Sequence, residues 1–301
     1  MLDTLIKALM LIAFISLGYF LKRLGVFDRS SFNTISAIVM TITLPCVIIV
    51  KLNGVHFETS LFIITFIAIL LNLLFIAIGY FIGKSKKEKS FSMLNLSGYN
   101  IGNFALPFVS YFFDSTAVLI VCLFDAGNSL MCLGATYGLA CCVDKQKDEN
   151  ILLLLAKKIF SSIPILTYVV VVIMLLTSIQ FPAVLIEWAS IASSANTFLC
   201  MLMVGIALEL VLKKDFIVLI VKHISTRFII SAILAMSFYF FSPFETVITK
   251  TLIILTFAPI AGMACFFTAK MNGNLEASAC INSLYIFISI IMMSALIILL
   301  N

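Results

Sequence analysis

Residues 95–109 read NLSGYNIGNFALPFV, and this stretch decides how the chain is built. It lies within a long apolar run, yet Asn95, Ser97, Gly98, Asn100, Gly102, Asn103 and Pro107 crowd into it. Proline removes a backbone donor and glycine loosens the helix around it. A second apolar run is interrupted in the same way: residues 256–270 read TFAPIAGMACFFTAK, with Pro259 and Gly262. Unwound backbone in lipid is costly unless it faces protein or a water-filled cavity. Two such runs in one chain predict a polar site buried in a membrane. The competing reading is that the glycines only let helices pack closely.

The rest of the sequence supports a membrane setting. The chain has 301 residues, of which 63% are hydrophobic and 11% charged. A soluble domain carries about 45–50% apolar and about 25% charged residues, and a sphere of this size could not hide the excess. That excludes a soluble enzyme, a disordered chain and a secreted disulfide scaffold. Ten apolar spans are predicted, each long enough for a hydrocarbon core of ~30 Å. They cover about 5–21, 34–53, 61–83, 91–113, 115–142, 160–180, 183–211, 216–241, 246–270 and 275–300. The all-α reading follows because barrel strands would alternate polar and apolar residues. Lys22 and Arg23 follow the first run instead of preceding it, so it reads as a helix and not a signal peptide. The eight cysteines sit in apolar runs without a CxxC pair, which points to buried thiols rather than metal.

Charge sets orientation. The loops after the odd-numbered spans are basic, as in Lys22, Arg23 and Arg29, KSKKEK at 84–89, Lys145 to Lys158, Lys213 and Lys214, and Lys270. The alternate loops are poor in charge. By the positive-inside rule both termini face outward. The net charge of +5 is therefore a loop effect and no nucleic-acid footprint. The hydrophilic stretch DKQKDEN, 144–150, is the linker between a first repeat, 1–143, and a second, 151–301. Five spans per half force the halves into opposite orientations, the inverted-repeat plan of many secondary transporters. The two interrupted runs are then the fourth helix of each half.

If they cross, their half-helix N-termini, each about half a positive charge, point at an anion. Asn100, Gly102, Asn103 and Gly262 are the candidate contacts, with Pro107 and Pro259 as helix breakers. The fifth span adds Asp125 and, three residues on and so on the same face, Asn128. Asp125 could take up a proton or bind a cation, or it could be a structural carboxylate bonded to a broken helix end. Asn282 in the tenth span is its candidate counterpart or, equally, the source of a simple interhelical hydrogen bond. Pro45 is expected to kink the second span, and Asn196 to serve packing. A Glu209–Lys213 helix pair is expected, and no arginine is counted at mid-membrane. No GxSxG, HExxH, P-loop or potassium-filter motif appears, so neither an enzyme nor a metal site is expected.

GYFLKRLGVFD (18–28), TLPC (43–46), NIGNFALP (100–107) and APIAGMACFFTAKMNGNLEASACINSL (258–284), in this order and spacing, resemble the auxin efflux carrier family. That family includes plant PIN-type carriers and bacterial malonate/malate permeases. The resemblance implies ten helices in two inverted repeats, with helices 1, 2, 6 and 7 as scaffold and the others as a transport domain. It implies crossing fourth and ninth helices, elevator-like alternating access and organic-anion substrates. By position, Asn100 and Cys265 would flank the crossing, lined by Asp125 and Asn128. Tyr99 and Cys265 stand where plant members have proline, and the long plant loop is missing, which favours the short bacterial branch. The expectation is a carrier of small carboxylates in a bacterial inner membrane, without cofactor, coupled to H⁺ or Na⁺ if at all, and able to form a homodimer. A sodium-coupled symporter of the bile-acid type and a non-transporting membrane sensor are the alternatives.

Overall fold

The computed structural model describes residues 2–144, 150–209 and 216–300. Most of the linker expected at 144–150, and Lys213 with its expected pairing to Glu209, lie outside the described residues. Among these residues there are helices and no strand. The chain begins with α1 (Leu2–Arg23), α2 (Arg29–Ile38), α3 (Leu44–Leu52), α4 (Ile63–Ile82) and α5 (Lys86–Leu96). It continues with α6 (Leu106–Phe112), α7 (Ser115–Leu130), α8 (Thr136–Asp144), α9 (Ile151–Phe160) and α10 (Ile163–Leu176). The last five are α11 (Ala183–Ala207), α12 (Ile217–Phe241), α13 (Thr246–Thr256), α14 (Met263–Lys270) and α15 (Leu275–Leu300).

Among the described residues, seven helices are long and apolar enough to cross a membrane: Leu5–Arg23, Ser30–Leu52, Thr59–Ile82, Ser115–Asp144, Ala183–Ala207, Ile217–Phe241 and Leu275–Leu300. This is the build of a multi-pass membrane protein. The other three predicted spans are shorter or broken pieces. The span at 160–180 holds the 14-residue α10. The two interrupted runs each divide, into α5 and α6 and into α13 and α14.

Polar residues at the helix starts act locally. Asp28 caps α2 by accepting from the Ser31 N–H at 2.8 Å and the Ser31 hydroxyl at 2.7 Å. Those bonds hold its carboxyl below the usual carboxylate range. Asp114 caps α7 through the Ala117 N–H at 3.1 Å. Pro45 and Pro107 both lie in the first turn of a helix that follows a π-helical turn, Val39–Thr43 and Ile101–Ala105. The wider turn absorbs the register lost where proline offers no N–H. Pro107 therefore sits beyond the break in its span, which lies at 97–100; Pro259 sits within its own.

Small residues set the closest approaches. A Cβ on Gly18 of α1 would stand 2.2 Å from the Leu202 carbonyl oxygen, and one on Gly205 of α11 would stand 2.0 Å from that of Ile15. Glycine thus lets α1 and α11 touch backbone to backbone, as membrane helices without a hydrophobic drive between them require. Gly127 does the same for α7 against Thr65 of α4. Asn196, as expected, is a packing group: it is buried and accepts from the Thr43 hydroxyl at 2.8 Å.

Candidate functional site

The site begins where α5 stops. Gly98 has φ +79, a left-handed conformation that disfavours any side chain. A Cβ there would also meet Cys132 Sγ at 3.0 Å and Ala261 Cβ at 3.2 Å. The chain then runs through Tyr99 and Asn100 into the π-helical turn and α6. Its freed peptide groups are taken up by side chains. Asn72 of α4 accepts the Gly98 N–H at 2.8 Å. Asn128 of α7 accepts the Tyr99 N–H at 3.0 Å and donates to the Tyr99 carbonyl at 2.8 Å. One carboxamide thereby mimics the backbone partner that an unbroken structure would have supplied.

The second break has fewer such partners. α13 ends at Thr256, residues 257–262 are non-helical, and α14 starts at Met263. The two breaks meet: the Asn100 N–H donates to the Pro259 carbonyl at 2.7 Å. Beyond that bond Asn103 and Gly262 lie three residues along their own arms, Asn103 in the π-helical turn that opens its half-helix and Gly262 at the N-cap of α14. Such helix starts leave N–H groups without an intrahelical partner and carry the positive end of the helix dipole.

The predicted residues divide into two groups. Asp125 and Asn128 are buried and occupied. Asp125, 7% exposed, accepts from Asn128 Nδ2 at 3.1 Å and from the Tyr168 hydroxyl of α10 at 3.0 Å. The first bond bears out their shared helix face. Gly102 lies beside this carboxylate, its would-be Cβ 3.9 Å from Asp125 Oδ2 and 3.3 Å from Leu44 Cδ2. Asn100 and Asn103 belong to the second group. Both are partly exposed; the Asn100 side chain caps nothing, and Asn103 Oδ1 is buried with no hydrogen-bond partner.

On the other arm Gly262 is exposed, and a Cβ on it would meet nothing within 4 Å. Cys265 is half-buried, its sulfur accepting from the Ser278 hydroxyl at 3.4 Å. Asn282 reaches the Ala261 carbonyl at 3.5 Å, the limit of a hydrogen bond. Its target is a carbonyl of a break, so its counterpart is Asn128, which holds the Tyr99 peptide, more than Asp125.

Three participants went unread in the sequence. Asn72 sits in the very apolar run LLNLLF, and Tyr168 looks like an ordinary interfacial aromatic. Arg227 corrects the expectation that no arginine stands at mid-membrane. It lies in the middle of α12, is 0% exposed, and donates to the Leu96 carbonyl, to the Gly98 carbonyl at 3.0 Å and to the Ala258 carbonyl at 3.4 Å. Its signal was a second basic residue, five positions after Lys222 and deeper within a 25-residue apolar helix, where a charge marks a functional position. Comparison of the chain with protein-family models gives no match, and comparison with curated proteins gives none.

Proposed function

We propose that this protein is a secondary transporter of small organic anions, mono- or dicarboxylates, working by elevator-like alternating access between two inverted five-helix repeats. The observation that carries the reading is the crossing itself. Two interrupted helices meet at the Asn100–Pro259 hydrogen bond; the Asn100 side chain caps neither half-helix, and Asn103, three residues on, has a buried Oδ1 with no hydrogen-bond partner. Half-helix N-termini and the Nδ2 donors of the asparagines are suited to a carboxylate, which accepts several hydrogen bonds at once; the Asn103 Oδ1, an acceptor, would instead take a hydrogen bond from a hydroxyl or water beside it. Secondary transporters place substrate at such breaks.

The order of elements supports the repeat. In the first half, three apolar helical spans precede the broken one, and α7 with α8 follows it. In the second half α10, α11 and α12 precede the broken pair, and α15 follows. On this reading the fourth and ninth of ten helices cross, both termini face outward, and the chain belongs with the auxin efflux carrier-like permeases of bacterial inner membranes. α1, α2 with α3, α10 and α11 then form the scaffold against which the remaining helices move.

The test is uptake and charge movement in proteoliposomes with a panel of carboxylates, with and without Na⁺ and a pH gradient. A saturable signal for one carboxylate is expected, and Asn100→Ala should reduce it at least ~10-fold, as the loss of a buried hydrogen bond to a charged group predicts. An Asn100→Ala variant that folds and transports at the wild-type rate would falsify the site. Binding of a carboxylate without flux would favour the sensor instead.

A further inference from the structure

Arg227 presents an energetic problem. Its guanidinium is fully buried, makes no ion pair with a carboxylate among the described residues, and leaves Nε without a partner. A charge in such a place is costly unless it is compensated. The compensation comes from two directions. The Leu96 and Gly98 carbonyls belong to the C-terminal end of α5, and the Ala258 carbonyl follows the C-terminal end of α13. Each helix C-terminus carries about half a negative charge, so the two together match one positive charge. Aromatic faces complete the cage: the guanidinium carbon lies 4.4 Å from the Phe75 ring centroid, 4.5 Å from that of Tyr99 and 5.6 Å from that of Tyr285.

We propose that Arg227 is a positioning residue acting as a built-in cation: it ties together the C-terminal ends of α5 and α13, the first halves of the two broken helices, in the role that a bound metal cation plays where unwound carbonyls and helix C-termini converge. The consequence for transport rests on the function proposed above. The balance of charge at this point is already closed, so no alkali cation is needed there, and the helix N-termini on the other side of each break remain free for an anion. A lysine is a poor substitute, because a compact ammonium lacks the planar fork that reaches three carbonyls on two helices.

The test uses purified full-length protein, with thermal unfolding followed in NaCl, KCl and choline chloride at equal ionic strength and without substrate. The wild type should melt at the same temperature in all three. Arg227→Ala should melt lower by on the order of 5–10 °C, since it leaves two helix ends uncompensated. Millimolar guanidinium, far below denaturing levels, should restore part of that loss where choline does not. Arg227→Lys should fall between the two, and it serves if the alanine variant does not fold. A saturable, Na⁺-specific stabilisation of the wild type would overturn the proposal. So would a variant as stable as the wild type, or an alanine variant that guanidinium leaves unchanged. Because no substrate is present, these outcomes are independent of whether the proteoliposomes show flux.

Discussion

The two broken segments, 97–100 and 257–262, interrupt comparable apolar runs but are held in opposite ways. The first is clamped: Asn72, Asn128 and Arg227 between them bond the Leu96, Gly98 and Tyr99 peptide groups. The second is lightly tethered, through Pro259 to Asn100, Ala258 to Arg227 and a long contact from Asn282 to Ala261. Both breaks are buried, from Ser97 to Tyr99 and from Phe257 to Ala261, but the first ends in half-buried Asn100 and the second in exposed Gly262 with open space beside it. The difference teaches that a sequence symmetry of interruptions need not give a symmetric site. One arm provides a fixed frame, and the other provides room. On the function proposed above, a ligand to be released on either side of a membrane would be well served by that division, because preorganised donors bind without reordering and a loosely held arm can yield.

The largest expected effect removes the clamp. Asn128→Leu keeps the volume but strands the Tyr99 N–H and carbonyl and one Asp125 oxygen. With about 1–3 kcal/mol for each buried group left unpaired, the loss is ~3–5 kcal/mol. Thermal unfolding in detergent should fall by on the order of 10 °C. Asn282→Leu should cost under ~1 kcal/mol in the same assay, since its bond is already at the limit of reach. Equal losses would erase the distinction between the arms.

Next come the glycines. Gly98→Ala puts a side chain in the left-handed region, at about 1–2 kcal/mol, and drives it against Cys132 and Ala261. It should lower the melting temperature clearly. Gly262→Ala, with φ −59 and open space around it, should leave stability within ~0.5 kcal/mol and act only on substrate, raising the concentration for half-maximal uptake. If Gly262→Ala unfolds the protein, the open arm is not open.

The smallest effect concerns the carboxylate between the clamp and α10. Tyr168→Phe removes a hydroxyl bond to Asp125 and should cost ~1 kcal/mol. A double-mutant cycle with Asp125→Asn should show a coupling of similar size, read by chemical denaturation. Additive losses would mean that the hydroxyl and the carboxylate are merely adjacent.

Sequence reading went furthest where one property repeats along the chain. Apolar run length located the long helices, because a span needs about 20 residues and nothing else in a sequence produces that pattern. Gly98 in the first run, and Pro259 with Gly262 in the second, located the breaks, because the loss of an N–H or of a Cβ acts on the residue's own neighbours; Pro107, in the first turn of α6, begins a helix instead of breaking one. The same local logic placed Asp125 and Asn128 on one face. It did not reveal which polar side chains are occupied and which are unpartnered, since Asn100 and Asn128 look alike in a list of asparagines. Only packing separates them: Asn128 meets the Tyr99 peptide across 29 residues of chain, and Asn100 offers its backbone to Pro259 while its side chain caps nothing. Arg227 makes the same point more strongly. Its partners Leu96 and Gly98 lie 131 and 129 residues away, and Ala258 lies 31 residues away on the other side. Composition and periodicity describe what each segment does to itself. The compensation of a buried charge by the ends of two distant helices exists only once the chain has brought them to one point.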